Sequence, residues 1–306
     1  MKPKPIETLT PQEARKQPSP ADGVKALLKK QNKSTAPEKV ADVDNRSIDG
    51  PAGKIKVRIY RPEGAGPFPV IVYYHGGGWV IADLDTYDAT PRALANAAQA
   101  VVISSHYRQA PEHKFPAAHE DAFAAYQWAL NHASDLKGDP SRVAVAGESA
   151  GGNMAAAVCM MARDKNVKLP IHQLLVYPVA DTAMDTESYR ENADAKPLGK
   201  AGMEWFAKHA IPASAKSNPY LALVRAPDLG GLPPATIITA QIDPLRSEGQ
   251  AYADKLKAAG VAVAYRNYEG VAHEFFGMSV VVDKAKEAMS FATENLKAAF
   301  AKPTGR

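Results

Sequence analysis

The chain has 306 residues, 45% apolar and 23% charged, the balance of a globular protein with a large buried core. Its net charge of +4 comes from 37 basic and 33 acidic residues scattered along the chain, which argues against a nucleic-acid surface, since that needs a basic stripe or arm. The one cysteine, Cys159, excludes an intrachain disulfide, and no stretch is long and apolar enough to read as a membrane span.

Residues 1 to 42 are polar, with a weak helical stripe at Val24, Leu27 and Leu28. The opening MKPKPIETLTPQEARKQPSP lacks the apolar core of a signal peptide, so a cytoplasmic location is the default expectation. A segment this polar buries little by itself and is expected to form part of a cap over another region. Val43 to Ile48 and Ile55 to Tyr60 predict a hairpin turning at Asp49-Gly50-Pro51-Ala52-Gly53. Glu63 to Pro69, rich in Gly and Pro, is a loop.

From Val70 the pattern changes. Dense apolar runs at Val70–Tyr74, Ala100–Ser104, Val143–Ala146, Gln173–Tyr177 and Ala235–Thr239 predict strands buried on both faces, and Val261–Tyr268 alternates like an edge strand. Helical stretches lie near 116–133, 149–163, 245–259 and 283–300. Strands and helices in alternation predict a mostly parallel sheet flanked by helices, the α/β class, with the opening hairpin at one antiparallel edge. The stretch between Tyr177 and Ala235 is too long for a structureless loop. Residues 182–226 are expected to form a helical cap, inserted into a catalytic domain spanning 43–306.

Two motifs carry chemistry. Gly147-Glu148-Ser149-Ala150-Gly151 follows a predicted strand and opens a small-residue helix, the context of a nucleophile elbow. The sharp turn strains the serine and demands small neighbours. His75-Gly76-Gly77-Gly78-Trp79 also follows a strand. Three glycines allow close backbone approach and aim N–H groups at a ligand, as an oxyanion hole requires. The candidate donors are the N–H groups of Gly76, Gly77 and Ala150.

Of eight histidines, three lie beyond Ser149, where the order Ser, acid, His places the base. His172 opens a strand at its N-terminal end, and His209 falls in the expected cap. His273 sits in a loop after the last strand, at the ligand-facing end of a parallel sheet, and is the candidate base. Asp243, after the strand Ala235–Thr239, is the candidate acid, and Asp181 is its rival. Trp79, Met203, Trp205 and Phe206 are candidate substrate-binding residues. Met203, Trp205 and Phe206 either wall an acyl pocket or pin the cap. The histidines lack metal-ligand spacing, and no phosphate-binding glycine loop is present, so no metal and no cofactor are expected.

With HGGGW at 75–79, YRQAPEHKFPAAHED at 107–121, GESAGGN at 147–153, DPLRSEG at 243–249 and the His273 loop, the chain resembles the hormone-sensitive-lipase-like branch of bacterial esterases, from about Val57 to Met278. The resemblance implies an α/β-hydrolase fold with an all-helical cap, and hydrolysis of short- to medium-chain carboxylic esters. It maps Ser149, Asp243 and His273 onto the triad, and Gly76, Gly77 and Ala150 onto the oxyanion hole. Glu148 stands where Asp is commoner, and Gln109 where Leu is usual. An amidase or formamidase on the same triad is the alternative, and a small-molecule receptor on the same fold is a more distant one. The expected partner is a small ester. A homodimer through the last strand or its flanking helix is a further expectation, because an open edge invites pairing.

Overall fold

β-Branched and aromatic residues concentrate in strands because a pleated surface gives each side chain a face to pack against. The computed structural model describes residues 3–302, and its strands form one eight-stranded sheet: β1 (Asp42–Gly50), β2 (Gly53–Arg61), β3 (Phe68–Tyr74), β4 (Val101–Ser105), β5 (Gly138–Glu148), β6 (Gln173–Val176), β7 (Ala235–Ile242) and β8 (Val263–Ala272). Their spatial order is β1-β2-β4-β3-β5-β6-β7-β8. β1 runs antiparallel to β2, and β2 to β4; the remaining pairs are parallel. The helices are α1 (Pro11–Ala14), α2 (Pro20–Lys30), α3 (Ala89–Ala98), α4 (Ala117–His132), α5 (Ala150–Asp164), α6 (Glu187–Glu191), α7 (Lys200–Ala210), α8 (Arg246–Ala258) and α9 (Asp283–Phe300).

The period of two along each central strand assigns its side chains to two cores. Val70, Val72 and Tyr74 of β3 pack with α4, α5 and α8 on one face, whereas Ile71 and Tyr73 pack with α3 and α9 on the other. Each fully buried Val or Ile contributes about 1.5–3 kcal/mol. A slip of one residue would exchange the faces, so the register is tightly set. The hairpin closes one edge of the sheet, with Gly50 opposite Gly53, and β8 closes the other.

The short helix α1 falls where no helix was expected, and β5 starts at Gly138, five residues before the expected Val143; α3 and the last strand differ as well. Helix α3 falls where no helix was predicted. It contributes Ala93, Leu94, Ala95 and Ala98 to the apolar core, mostly alanine, which gives little apolar periodicity to read. The last strand begins at Val263 rather than Val261 and runs on to Ala272. The side chain of Gln241 holds its far end, accepting from the Gly270 N–H at 2.8 Å, and Ala272 pairs with Ile242.

The chain passes from β3 through α3 to β4 on one side, then returns through α4 to β5 on the other side of β3. The connections therefore diverge at the carboxyl ends of β3 and β5, which is where ligands bind in open α/β sheets. The insertion between β6 and β7 is helical: α6, α7 and 3₁₀ turns at Ala213–Ala215 and Leu223–Arg225. Among the described residues, no helix is long and apolar enough to cross a membrane.

Candidate active site

Strand β5 runs directly into α5 through Ser149, whose φ of 57° and ψ of −119° lie in a region that L-residues avoid. Such a conformation costs on the order of 1–3 kcal/mol and persists only where packing enforces it. The enforcement is visible in the neighbours. The Ser149 N–H donates to Val176 O at 2.9 Å. A Cβ at Gly151 would lie 2.0 Å from Tyr74 O, so only glycine allows α5 to start this close to β3. Ser149 is buried to 5% exposure at the end of the sheet.

His75 to Gly78 leave the end of β3 alongside. Gly77 has φ 96°, and a Cβ there would lie 2.3 Å from Ile81 O. Gly77 O accepts from the N–H groups of Val80 and Ile81 at 3.0 and 2.9 Å. The Tyr107 hydroxyl lies 3.0 Å from His75 O and 2.9 Å from Gly76 O, and donates to this pair of carbonyls. Burial first, then the neighbouring His106, pushes the His75 imidazole down to about 3, so the ring stays neutral as a packing and hydrogen-bonding element. Among the described residues, no protein acceptor takes the N–H groups of Gly76 or Gly77. Orphan N–H groups inside a protein are rare, and these stand on the loop beside Ser149.

His273 and Asp243 come from the ends of β8 and β7. Asp243 is fully buried. Its Oδ1 accepts from the Leu245 N–H at 2.9 Å, and its Oδ2 lies 2.7 Å from His273 Nδ1. A carboxylate only accepts, so the imidazole carries its proton on Nδ1 and leaves Nε2 as the basic nitrogen. Burial presses the His273 pKa down, but the charge and hydrogen bond of Asp243, then Glu274 and Glu148, outweigh it, and the net shift is upward. No hydrogen bond joins Ser149 to His273 among the described residues; such contacts often tighten only when substrate binds. The rival acid Asp181 pairs instead with Arg225 Nε at 2.8 Å. His172 lies at the opposite end of the sheet against Thr236.

The candidate substrate-binding residues fall into two groups. Trp79 is 4% exposed, and its Nε1 has no partner among the described residues. It lines a small pocket with Phe115, His119 and Leu221. Phe206 covers Gly78, where a Cβ would lie 2.2 Å from its ring. Trp205 points elsewhere: its Nε1 donates to Leu9 O at 2.9 Å, and its ring packs on Phe206 and His209. These are the contacts of a pin between α7 and the N-terminal arm. Met203 is buried on the same helix. A separate cleft of about 490 Å³, lined by Asn45, Lys56, Arg58, Asp83 and His106, does not include Ser149.

Three positioning contacts escaped the sequence reading. Arg15 of the N-terminal arm donates to Val80 O at 2.8 Å and Ala110 O at 2.7 Å, and pairs with Glu112. It thereby ties the arm to the segment after the glycine loop. Asn153, one turn into α5, donates to Val179 O and Leu221 O and faces His119 Nε2 at 2.8 Å. Glu148 is buried beneath Ser149 and bonded to Tyr73 and Tyr177. No local pattern marks contacts made across such sequence distances. Among the described residues, no group of three or more His, Cys, Asp or Glu side chains is placed to hold a metal ion.

Residues 71–277 match the model of a family described by its alpha/beta hydrolase fold. The chain is 42% identical over 289 residues to the carboxylesterase NlhH of Mycobacterium tuberculosis, covering 91% of this chain and 90% of that protein. It is 45% identical over 249 residues to the carboxylic ester hydrolase LipN of the same organism, a match spanning 79% of this chain and 66% of LipN. Among solved structures, an esterase of Pyrobaculum calidifontis superposes with a TM-score of 0.88 at 38% identity, covering 95% of this chain and 94% of that one.

Proposed function

The chain belongs to the α/β-hydrolase family, in its hormone-sensitive-lipase-like branch, and from that premise we propose that it hydrolyses carboxylic esters through Ser149, His273 and Asp243. The observation that carries the residue assignment is the buried Asp243–His273 contact of 2.7 Å, presented beside a strained serine at the carboxyl end of the same sheet.

The chemistry follows from the placement. His273 Nε2 takes the proton of Ser149 Oγ as the oxygen attacks the ester carbonyl. The carbonyl oxygen becomes an oxyanion and is met by the N–H groups of Gly76, Gly77 and Ala150, each donor contributing about 100- to 1000-fold. The imidazolium then gives its proton to the departing alkoxide, leaving an acyl-serine. Water repeats the sequence to release the acid. Asp243 fixes the tautomer and offsets the imidazolium charge.

In this reading α6, α7 and the N-terminal arm form the cap, and Trp79 and Phe206 bound a pocket for short to medium acyl groups. The support is the packing of Phe206 on Gly78. Chromogenic acetate, butyrate and octanoate esters, measured beside the matching anilides, test the reaction class. Turnover of esters that disappears in Ser149→Ala supports it; turnover of the anilides alone makes the protein an amidase. We also propose a homodimer through β8, which pairs with β7 on one side and leaves its other edge open. Light scattering that returns a monomer at high micromolar concentration removes that proposal.

A further inference from the structure

The site contains two acids that the triad does not use. Glu148 immediately precedes Ser149, and Glu274 immediately follows His273. Glu148 is 1% exposed; its Oε1 accepts from the Tyr73 hydroxyl at 2.5 Å and its Oε2 from the Tyr177 hydroxyl. Glu274 Oε1 accepts from the Tyr87 hydroxyl at 2.6 Å and lies 3.8 Å from His273 Nε2. Tyr177 links the two ends of the site, since its ring centroid is 4.4 Å from that of His273. Tyr177 and Glu274 both have positive φ, 34° and 71°. Non-glycine residues avoid that region, and departures of this kind cluster at functional sites.

The charged and titratable groups facing His273 come from four directions: Asp243 at the end of β7, Glu148 at the end of β5, Tyr177 after β6, and Glu274 in its own loop, with Tyr73 and Tyr87 behind the two glutamates. Asp243 occupies the Nδ1 side. The Nε2 side, where the serine proton arrives, faces Glu274.

Resting on the triad assignment above, we infer that Glu274 is a second carboxylate for the catalytic histidine, stabilising its imidazolium from the Nε2 side, with Glu148 as a weaker contributor behind it. The distance is what makes this productive. A carboxylate in hydrogen-bond contact with Nε2 would retain the proton that the leaving alkoxide needs. At 3.8 Å Glu274 attracts the positive charge without accepting the proton, and the Tyr87 hydroxyl holds it there. The electrostatics agree in direction, since both glutamates raise the His273 pKa after Asp243. Glu148 is itself pushed up to about 7, by burial first and by the charge of Glu274 second, so its help fades as it takes up a proton.

His273 must be neutral to accept the serine proton. A raised imidazole pKa therefore places the acid limb of kcat/KM above the ordinary histidine value of 6.5, and activity falls as pH drops through that limb. Glu274→Gln keeps the shape and the acceptor for Tyr87 but removes the charge. The limb should move to lower pH by about one unit, with a smaller move in Glu148→Gln. A residue that merely packs would scale the rate and leave the limb in place. The His273 imidazole titration, followed by NMR in a Ser149→Ala background, reads the same quantity without turnover and should shift down together with the limb. If Glu274→Gln fails to fold, Tyr87→Phe carries the test, and its limb should move in the same direction by less. A His273 titration in Glu274→Gln that coincides with the parent overturns the inference. Failure of the triad assignment is separate: it would show as an unmodified Ser149 after treatment with a fluorophosphonate, whatever His273 does.

Discussion

The loops at the sheet end and the helical insertion above them are held in different ways. The serine turn and the glycine loop are fixed by backbone sterics, main chain against main chain: Gly151 against Tyr74 O, and Gly77 against Ile81 O. The insertion is fixed by side chains that reach across the chain, Trp205 to Leu9 O and Asn153 to Leu221 O, with Arg15 bracing the arm against Val80 and Ala110. The first kind of constraint permits little change. The second leaves room to alter which ester enters without disturbing the groups that cut it.

Substitutions should separate the two regions, and the largest effects belong to the sheet end. Asp243→Asn should lower kcat by about 10⁴-fold through loss of the correct tautomer. Asp181→Asn breaks only a partly exposed pair with Arg225 and should cost no more than about 1 kcal/mol of stability, with kcat close to the parent. Steady-state kinetics on both variants decide between the two acids, and the reverse pattern would reassign the role to Asp181.

Smaller effects should appear in the insertion, and they should differ in kind. Phe206→Ala opens the space over Gly78. Each further methylene buried there contributes about 0.8 kcal/mol, so the ratio of kcat/KM for hexanoate over acetate should rise several-fold. Trp205→Ala should leave that ratio unchanged while lowering stability by roughly 3–5 kcal/mol, as removal of a buried indole does. An altered ratio in Trp205→Ala would return that residue to the pocket wall. The mildest change, Trp205→Phe, loses chiefly the hydrogen bond to Leu9 O and should cost about 1 kcal/mol by chemical denaturation.

The same contrast explains what could be read from the sequence. The strands from β3 to β7 were legible because burial on both faces leaves dense apolar runs, and GESAG and HGGGW because strained backbone demands small residues at fixed offsets. The pairing of Asp243 with His273 followed from chain order and from loops at the same end of a parallel sheet. Helix α3 was not legible, because a buried face built of alanine carries little hydrophobic contrast. The position of Trp205 was equally hidden, since its partner is a backbone carbonyl 196 residues away. Glu274 showed only as the neighbour of His273; its tyrosine partner lies 187 residues upstream, and only the folded sheet brings them together.

The central claim is that Ser149 forms the acyl-enzyme with His273 as its base. The most direct test treats the parent, Ser149→Ala and His273→Ala with a fluorophosphonate and reads intact mass and the modified peptide. One adduct per chain is expected in the parent, located on Ser149, with none in Ser149→Ala and labelling slowed by at least about 1000-fold in His273→Ala. An adduct at another residue, or labelling of Ser149→Ala at the parental rate, would contradict the claim.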